Sequence, residues 1–387
     1  MSIIPIGYKD SPIGIIPQEW EVKRLGEIAK YFSGGTPNSM VKEMYGGKIP
    51  FIRSGEIHNS RTTLSLTEEG LSKSSAKMVN VGDLIYALYG ANSGDCAISQ
   101  INGAINQAIL CIRSEKVINP YLYPFLELQK GRFISMYLQG GQGNLSADIV
   151  ARYIIPIPPL AEQKKIAEIL CTWDDAIEKQ SKLIEKLELR KRGLMQRLLT
   201  GKMRLSGFTE PWKKIKLGEI SLIQKGVQLN KNRLQLSGLY PTINGGTTPS
   251  GYSDSYNTEA NSITISEGGN SCGFVNFITT RFWCGGHCYL VSPNDSMNKL
   301  FLFQLLKYVE VEIMNLRVGS GLPNIQIKPL LNFMCTIPVL KEQKAIAAVL
   351  TSADKEIETQ RKKLEVLRQQ KQGLMQQLLT GKTRVTI

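Results

Sequence analysis

With 387 residues and an apolar fraction of 42%, the chain has material for two or three domains, each able to bury a real core. No segment reaches the roughly 18 consecutive apolar residues of a membrane span. Lysine and arginine outnumber acidic residues to give a formal charge of +14, which favours a polyanionic partner, nucleic acid ahead of an anionic membrane; a merely basic soluble protein is the plain alternative.

The first stretch, MSIIPIGYKDSPIGIIP, is apolar but broken by Lys9, Asp10 and three prolines, and lacks the layout of a signal peptide. Together with seven cysteines, an odd number mostly in apolar surroundings, it leads to the expectation of a reducing, cytoplasmic location. Residues 20–155 then alternate short β-type runs (IPFIRS, GDLIYALY, CAISQI, AILCIRS) with glycine and asparagine turns. A helical patch follows, NPYLYPFLELQKGRFISMYL, then GGQGNLS and the run IIPIPPL, an order that predicts a mixed α+β module.

From Pro156 to Arg204 the chain reads as one long helix, and the stretch returns 180 residues later, from Ile337 to Arg384, with about half of its positions identical. The module start returns as well: WEVKRLGEI at 20–28 reappears as WKKIKLGEI at 212–220, offset by 192. Between these landmarks, residues 212–336 keep the same grammar (YPTING, SITISEG, GFVNFITTRFWC, CYLVSP, the helical patch KLFLFQLLKYVEVEIMNL, a glycine turn, TIPVL), but the two modules barely agree in sequence. Readers of two different targets would look like this, and so would drift after duplication, although the helices stayed similar.

In each copy the apolar seam steps by four and three, the a/d repeat of a coiled coil. It runs through Ile166, Leu170, Trp173, Ile177, Gln180, Ile184, Leu187, Lys191, Leu194 and Leu198, and through Ile346, Leu350, Ala353, Ile357, Gln360, Leu364, Leu367, Lys371, Leu374 and Leu378. Pro158, Pro159 and Pro338 mark the starts; Gly201 and Gly381 mark the stops. At ~1.5 Å per residue each helix spans roughly 60 Å, and its natural partner is the other copy. The polar seam positions Gln180/Gln360 and Lys191/Lys371 either fix register or lie at an exposed edge.

Most catalytic constellations lack material. There are two histidines, His58 and His287, too few for a Ser-His-Asp triad. Gly201-Lys202 and Gly381-Lys382-Thr383 resemble the tail of a phosphate-binding loop, but the glycine expected five residues earlier is Gln196 or Gln376, and both sites sit at helix C-termini. Cys284-Gly-Gly-His287-Cys288 with Cys272 has poor zinc spacing; strand alternation sends Cys288 inward and leaves His287 as a nucleic-acid-facing or a structural residue. No metal and no catalytic residue is expected, and no cofactor on this chain; a methyltransferase's glycine-rich loop and Asn-Pro-Pro-aromatic run are missing.

The glycine- and asparagine-rich loops are turns by composition and candidate DNA contacts by charge: amides pair with adenine, Arg and Lys with guanine, and glycine admits phosphates. In the first module the candidates are Gly34, Gly35, Thr36, Lys42, Arg53, Asn59, Tyr89, Asn92, Ser93, Asn106, Gln107, Gln142 and Asn144. In the second they are Lys225, Lys231, Arg233, Asn244, Thr247, Tyr252, Asn270, Arg281, His287, Ser320 and Asn324.

The double module-plus-helix layout, the Trp/Leu-Gly-Glu-Ile starts, the helix entries from Pro158 to Lys164 and Pro338 to Lys344, and the paired Gly-Leu-Met-Gln-x-Leu-Leu-Thr-Gly-Lys exits resemble the specificity subunit of type I restriction-modification enzymes over nearly the whole chain. The resemblance implies an α+β fold: two tandem target recognition domains separated by two long helices packed as an antiparallel coiled coil, pseudo-two-fold. It divides the chain into 1–155 and 205–336 as recognition domains, 156–204 and 337–387 as spacers. It further implies a non-catalytic subunit whose modules each read one half of a bipartite, asymmetric DNA site. Its partners would be double-stranded DNA, two methyltransferase subunits and restriction/translocase subunits, which bring S-adenosylmethionine, ATP and Mg. A standalone DNA-modifying enzyme and a structural coiled coil without sequence preference are the competing classes. Activity of the isolated chain would reveal the first; indifference to random-sequence competitor in a gel shift would reveal the second.

Overall fold

The computed structural model of the chain describes residues 4–137, 145–319, 321 and 323–386. It divides into two compact units, Met1–Gln180 with Lys363–Ile387, and Ser181–Lys362. Each unit combines one sequence module with the beginning of one long helix and the end of the other.

In the first unit, side-chain alternation sets the layers. Along strand Leu84–Ala87, Leu84 and Tyr86 pack in the cluster that holds Tyr121, Leu122 and Phe125 of helix Asn119–Tyr137, while Ile85 and Ala87 pack with Ile52, Val79 and Ile105 of a second sheet. Strand Ile109–Ser114 divides the same way, Leu110 and Ile112 against Ile109 and Cys111. A strand covered on both faces needs apolar residues throughout, which is why these runs show no polar alternation. The sheet against the helix is antiparallel, in the order Ala29–Ser33, Ile109–Ser114, Leu84–Ala87, Cys96–Ile98. The second sheet runs Leu64–Leu66, Tyr45–Ile52, Gly103–Ile105, Lys77–Val79, with its middle pair parallel.

The second unit repeats the plan. Ser221–Lys225, Cys288–Pro293, Ser262–Ser266 and Val275–Ile278 form the antiparallel sheet, with Ile263, Ile265, Tyr289 and Val291 in one core with helix Lys299–Tyr308. A smaller sheet, Gly251–Ser253, Tyr240–Ile243, Trp283–Cys284, carries a parallel pair like its counterpart. The single helical patch expected over 299–316 is two helices, Lys299–Tyr308 and Glu310–Met314. The chain turns at Val309, and Glu310 then accepts hydrogen bonds from the Val275 amide at 2.8 Å and Lys307 Nζ at 2.6 Å.

The Ile-Pro runs do more than introduce helices. Ile154–Ile157 pairs with Glu21–Arg24, and Met334–Ile337 pairs with Lys213–Lys216, so the end of each module is stitched to its start. The repeated Leu-Gly-Glu-Ile that follows each first strand is one helical turn, burying Leu25 and Ile28, and Leu217 and Ile220.

The long helices span Leu160–Leu198 and Leu340–Leu378, 39 residues each, directly after the prolines. They run antiparallel in both units. Ile166 and Leu170 share a core with Met375 and Leu378 in the first, and Ile346 and Leu350 with Met195 and Leu198 in the second. Ile184, Leu187, Ala353 and Ile357 are buried as the seam requires. The seam is less even than its spacing promises: Trp173, Ile177, Leu364 and Leu367 are half-buried, and near the exits burial shifts to Met195 and Leu199, and Met375 and Leu379, where the helices also meet the modules. Gln180 is buried and Gln360 half-buried.

Of the two readings of the seam lysines, register fixing is the one their surroundings favour. Lys371 is buried with Nζ 2.6 Å from Asp174, and its counterpart Lys191 lies 2.5 Å from Asp354, the counterpart of Asp174. One contact is thus made twice by equivalent residues. The helix entries follow the same rule. Glu162, fully buried, accepts from Trp20 Nε1 at 2.9 Å and from both forks of Arg384 at 2.7 and 3.0 Å. Glu342, also fully buried, accepts from Trp212 Nε1 at 3.3 Å and from Arg204 at 2.6 and 2.7 Å. The adjacent Gln163 and Gln343 pin the helix starts, each donating to the carbonyl five residues back, Pro158 or Pro338, and accepting a module amide, Ile118 or Asn298.

Gly201 and Gly381 end the helices in the left-handed region at φ 70° and 72°, where a side chain is strained by about 1–2 kcal/mol. A Cβ at 201 would lie 3.6 Å from the Trp212 ring, an ordinary contact, but at 381 it would come within 2.3 Å of Pro17 Cδ. Gly201→Ala is therefore expected to destabilise only by the strain, and Gly381→Ala by clearly more; chemical denaturation of the two variants checks the ranking.

Candidate nucleic-acid interface

In the first module the second sheet and the loops at its edge gather candidates that lie far apart in sequence. Thr36, Lys42, Arg53 and Asn106 line one groove of about 470 Å³, with Tyr45, Phe51 and Leu64 as its apolar wall. The Thr36 hydroxyl donates to Gln107 Oε1 at 2.5 Å, which brings Gln107 to the rim. Asn92 donates to the carbonyl of Ser54, next to Arg53, at 3.3 Å. Asn59 is exposed, Ser93 is hydrogen-bonded to its own loop, and Tyr89 packs on the core. Gln142 and Asn144 lie outside the described residues.

Gly34 and Gly35 are occupied by packing. A Cβ at Gly34 would sit 1.8 Å from the Ile105 carbonyl oxygen and one at Gly35 2.5 Å from Ser75, so these glycines let the loop lie against the end of the inner strand Gly103–Ile105 and against Ser75.

The charge in the groove is held in place by a residue that sequence reasoning missed. Glu56, 8% exposed, accepts from Arg53 Nε at 3.0 Å and from the amide and hydroxyl of Thr63 at 2.9 and 2.5 Å. Burial alone would raise its carboxyl, but the hydrogen bonds from Arg53 and Thr63 outweigh it and hold the group at about 2. The same contact raises the Arg53 guanidinium, so the pair is ionised at neutral pH. Only the i, i+3 spacing of Arg53 and Glu56 hinted at this in the sequence.

The second module centres on a different group, Glu267, also missed. Its carboxylate meets Lys225 Nζ at 2.6 Å, the Tyr289 hydroxyl at 3.3 Å and His287 Nδ1 at 3.5 Å. Asn244 accepts from the His287 amide at 3.1 Å, so Lys225, Asn244 and His287 come together. Asn324 bridges to Gly268 on the backbone, one residue from Glu267 and two from the exposed Asn270. Arg233 donates to Ser255 at 3.1 Å and lies over the Trp283 ring; the backbone of Tyr252 bridges to Gln235. Arg281 stands apart, paired with Glu259 at 3.0 Å and placed over Tyr256. Thr247 is exposed, Ser320 lies outside the described residues, and of Lys231 only the backbone is described. Cys284 and Cys288 are buried while His287 is exposed, and among the described residues no group of three or more His, Cys, Asp or Glu is placed to hold a metal ion. No helix among them is long and apolar enough to cross a membrane.

Comparison with known proteins agrees with this layout. The family model described as "Type I restriction modification DNA specificity domain" matches twice, at residues 17–189 and 209–369. The type I restriction enzyme MjaVIII specificity subunit of Methanocaldococcus jannaschii is 27% identical over 412 aligned positions, covering 96% of this chain and 94% of that protein. The putative MjaX specificity subunit of the same organism is 28% identical, covering 98% and 97%. The crystal structure of a type I restriction-modification S subunit from M. genitalium shares the fold, with a TM-score of 0.65 at 18% identity over 95% of this chain and 97% of that one. Since the family match takes in both modules and most of each long helix, the chain belongs to the type I restriction-modification DNA specificity family, as a recognition subunit and not a catalytic one.

Proposed function

We propose that each module reads one half of a bipartite, asymmetric DNA target, residues 1–155 one half and 205–336 the other. The helical stretches 156–204 and 337–387 set the gap between the halves and carry the docking surface for two methyltransferase subunits, which the restriction/translocase subunits join. Those partners bring S-adenosylmethionine, ATP and Mg, and the assembly works in the cytoplasm. The single observation behind this reading is a contrast: the Trp–Glu–Arg junction and the Lys–Asp contact are built twice from equivalent residues, while the loops they carry present different chemistry, Arg53 with Glu56 in one module and Glu267 with Lys225 in the other. Phosphate contacts from a +14 chain supply salt-dependent affinity, and base edges supply the choice.

The spacer role is tested by inserting one heptad after Gln180 and another after Gln360. Seven residues add about 10 Å of helix, or about 3 base pairs of duplex. The gap between the half-sites selected from a random duplex pool is expected to widen by that amount with both half-sites unchanged; an unchanged gap overturns the spacer role.

A further inference from the structure

We propose that the groove of the first module reads a guanine through its major-groove edge, with Arg53 as the specificity-determining residue and Asn106 and Gln107 beside it. The inference rests on the reading of this module as a half-site reader and adds the base that it selects.

The argument counts donors and acceptors. Asn106 Oδ1 accepts from the Ala108 amide at 3.1 Å, which fixes the amide orientation and turns its NH₂ away from that contact. Gln107 Oε1 is engaged by the Thr36 hydroxyl. Both oxygens of Glu56 are engaged, one by Arg53 Nε and the other by Thr63. The groups left over are the two Nη groups of Arg53, the NH₂ groups of Asn106 and Gln107, and the ammonium of Lys42, none of which has a hydrogen-bond partner among the described residues. The nitrogen donors that line or rim the groove are therefore free, while each amide and carboxylate oxygen there already accepts at least one hydrogen bond, so the groove is richer in donors than in open acceptors. In the major groove guanine alone presents two adjacent acceptors, N7 and O6, with no donor of its own. Adenine adds a donor, cytosine offers only a donor, and thymine has one acceptor. Because Glu56 takes Nε, the guanidinium plane is fixed and its far edge, with both Nη groups, stays free for a bidentate contact.

A backbone phosphate would also welcome donors. The wall of Tyr45, Phe51 and Leu64 argues for the base: a phosphate has no apolar face to set against that side, whereas a base brings a polar edge and an apolar face together. The two ligands differ in what a substitution does. A base contact sets sequence preference at one position; a phosphate contact sets affinity for all sequences and the salt slope.

The test is selection of duplexes from a randomised pool by the 387-residue chain, wild type against Arg53→Lys and Gln107→Ala. Lysine keeps the charge and a partner for Glu56 but loses the planar fork, and Gln107 is exposed, so neither change opens the core. Thermal unfolding of each variant confirms that it is folded. The wild-type chain is expected to enrich a motif with an obligatory guanine in one half, preferred roughly 10- to 100-fold over other bases. Arg53→Lys, whose ammonium still reaches guanine but without the planar fork, should lower that preference several-fold, leaving the other half-site and the salt slope unchanged; Gln107→Ala should weaken it at the same or the adjacent position. A motif without guanine in either half overturns the proposal while leaving the reader role intact. So does an Arg53→Lys variant that keeps the wild-type preference, or a change in affinity that is uniform across sequences. Failure to enrich any motif overturns the reader role itself, and this inference with it.

Discussion

Replacing Glu162 by alanine is expected to destabilise the first unit by about 2 kcal/mol, because it strips a buried acceptor from Trp20 and from Arg384, which keeps only Glu19 at 3.0 Å. The carboxylate is fully buried and holds three things at once: the start of the first long helix, Trp20 at the module's beginning and Arg384 beyond the second helix. Its removal leaves the Trp20 indole N–H, in a side chain with no exposure, without an acceptor as well. For a unit of this size the expected fall in Tm is roughly 4–8 °C. Calorimetry should show that fall in the transition of the first unit, while Glu342→Ala, at the matching junction, moves the transition of the second. Arg384→Ala should cost at least as much, since it leaves the fully buried Glu162 carboxylate with only the Trp20 N–H as partner. A Glu162→Ala variant that melts within about 2 °C of wild type would contradict this view of the junction.

That junction shows where sequence reading stops. Glu162 and Glu342 are visible as repeated residues at helix entries, but their partners stand 222 and 138 residues away, and nothing local marks a carboxylate as buried. Local chemistry was legible: the prolines at the helix starts, the glycines at the stops, and the doubly covered strands Leu84–Ala87 and Ile109–Ser114 that read as unbroken apolar runs. The break at Val309 was not; the contact beside it joins Glu310 to a strand amide 35 residues earlier, which no local pattern encodes. The candidate interface divides along the same line. Arg53, Thr36, Lys42 and Asn106 could be named one by one as residue types suited to DNA, yet their convergence is made by a parallel pairing of Gly103–Ile105 with Tyr45–Ile52, which no short-range pattern encodes. Gly34 looked like a site for phosphate and is instead a point of close backbone packing. Glu56 and Glu267 escaped notice because acidic residues are not looked for on a surface meant for a polyanion, yet they are the groups paired with Arg53 and Lys225.

The second large effect concerns the modules themselves. Residues 20–155 can be exchanged for the corresponding module of another family member, provided the incoming piece keeps a tryptophan to meet Glu162. Since the helices and the second module are untouched, the target should change in one half only, with the other half and the gap retained. Mapping methylated adenines across the genome of cells carrying the exchanged chain and the methyltransferase proposed as its partner reads this directly. One new half-site beside one old one at the old spacing is the predicted result. New bases in both halves, or an unchanged target, would contradict independent reading by two modules.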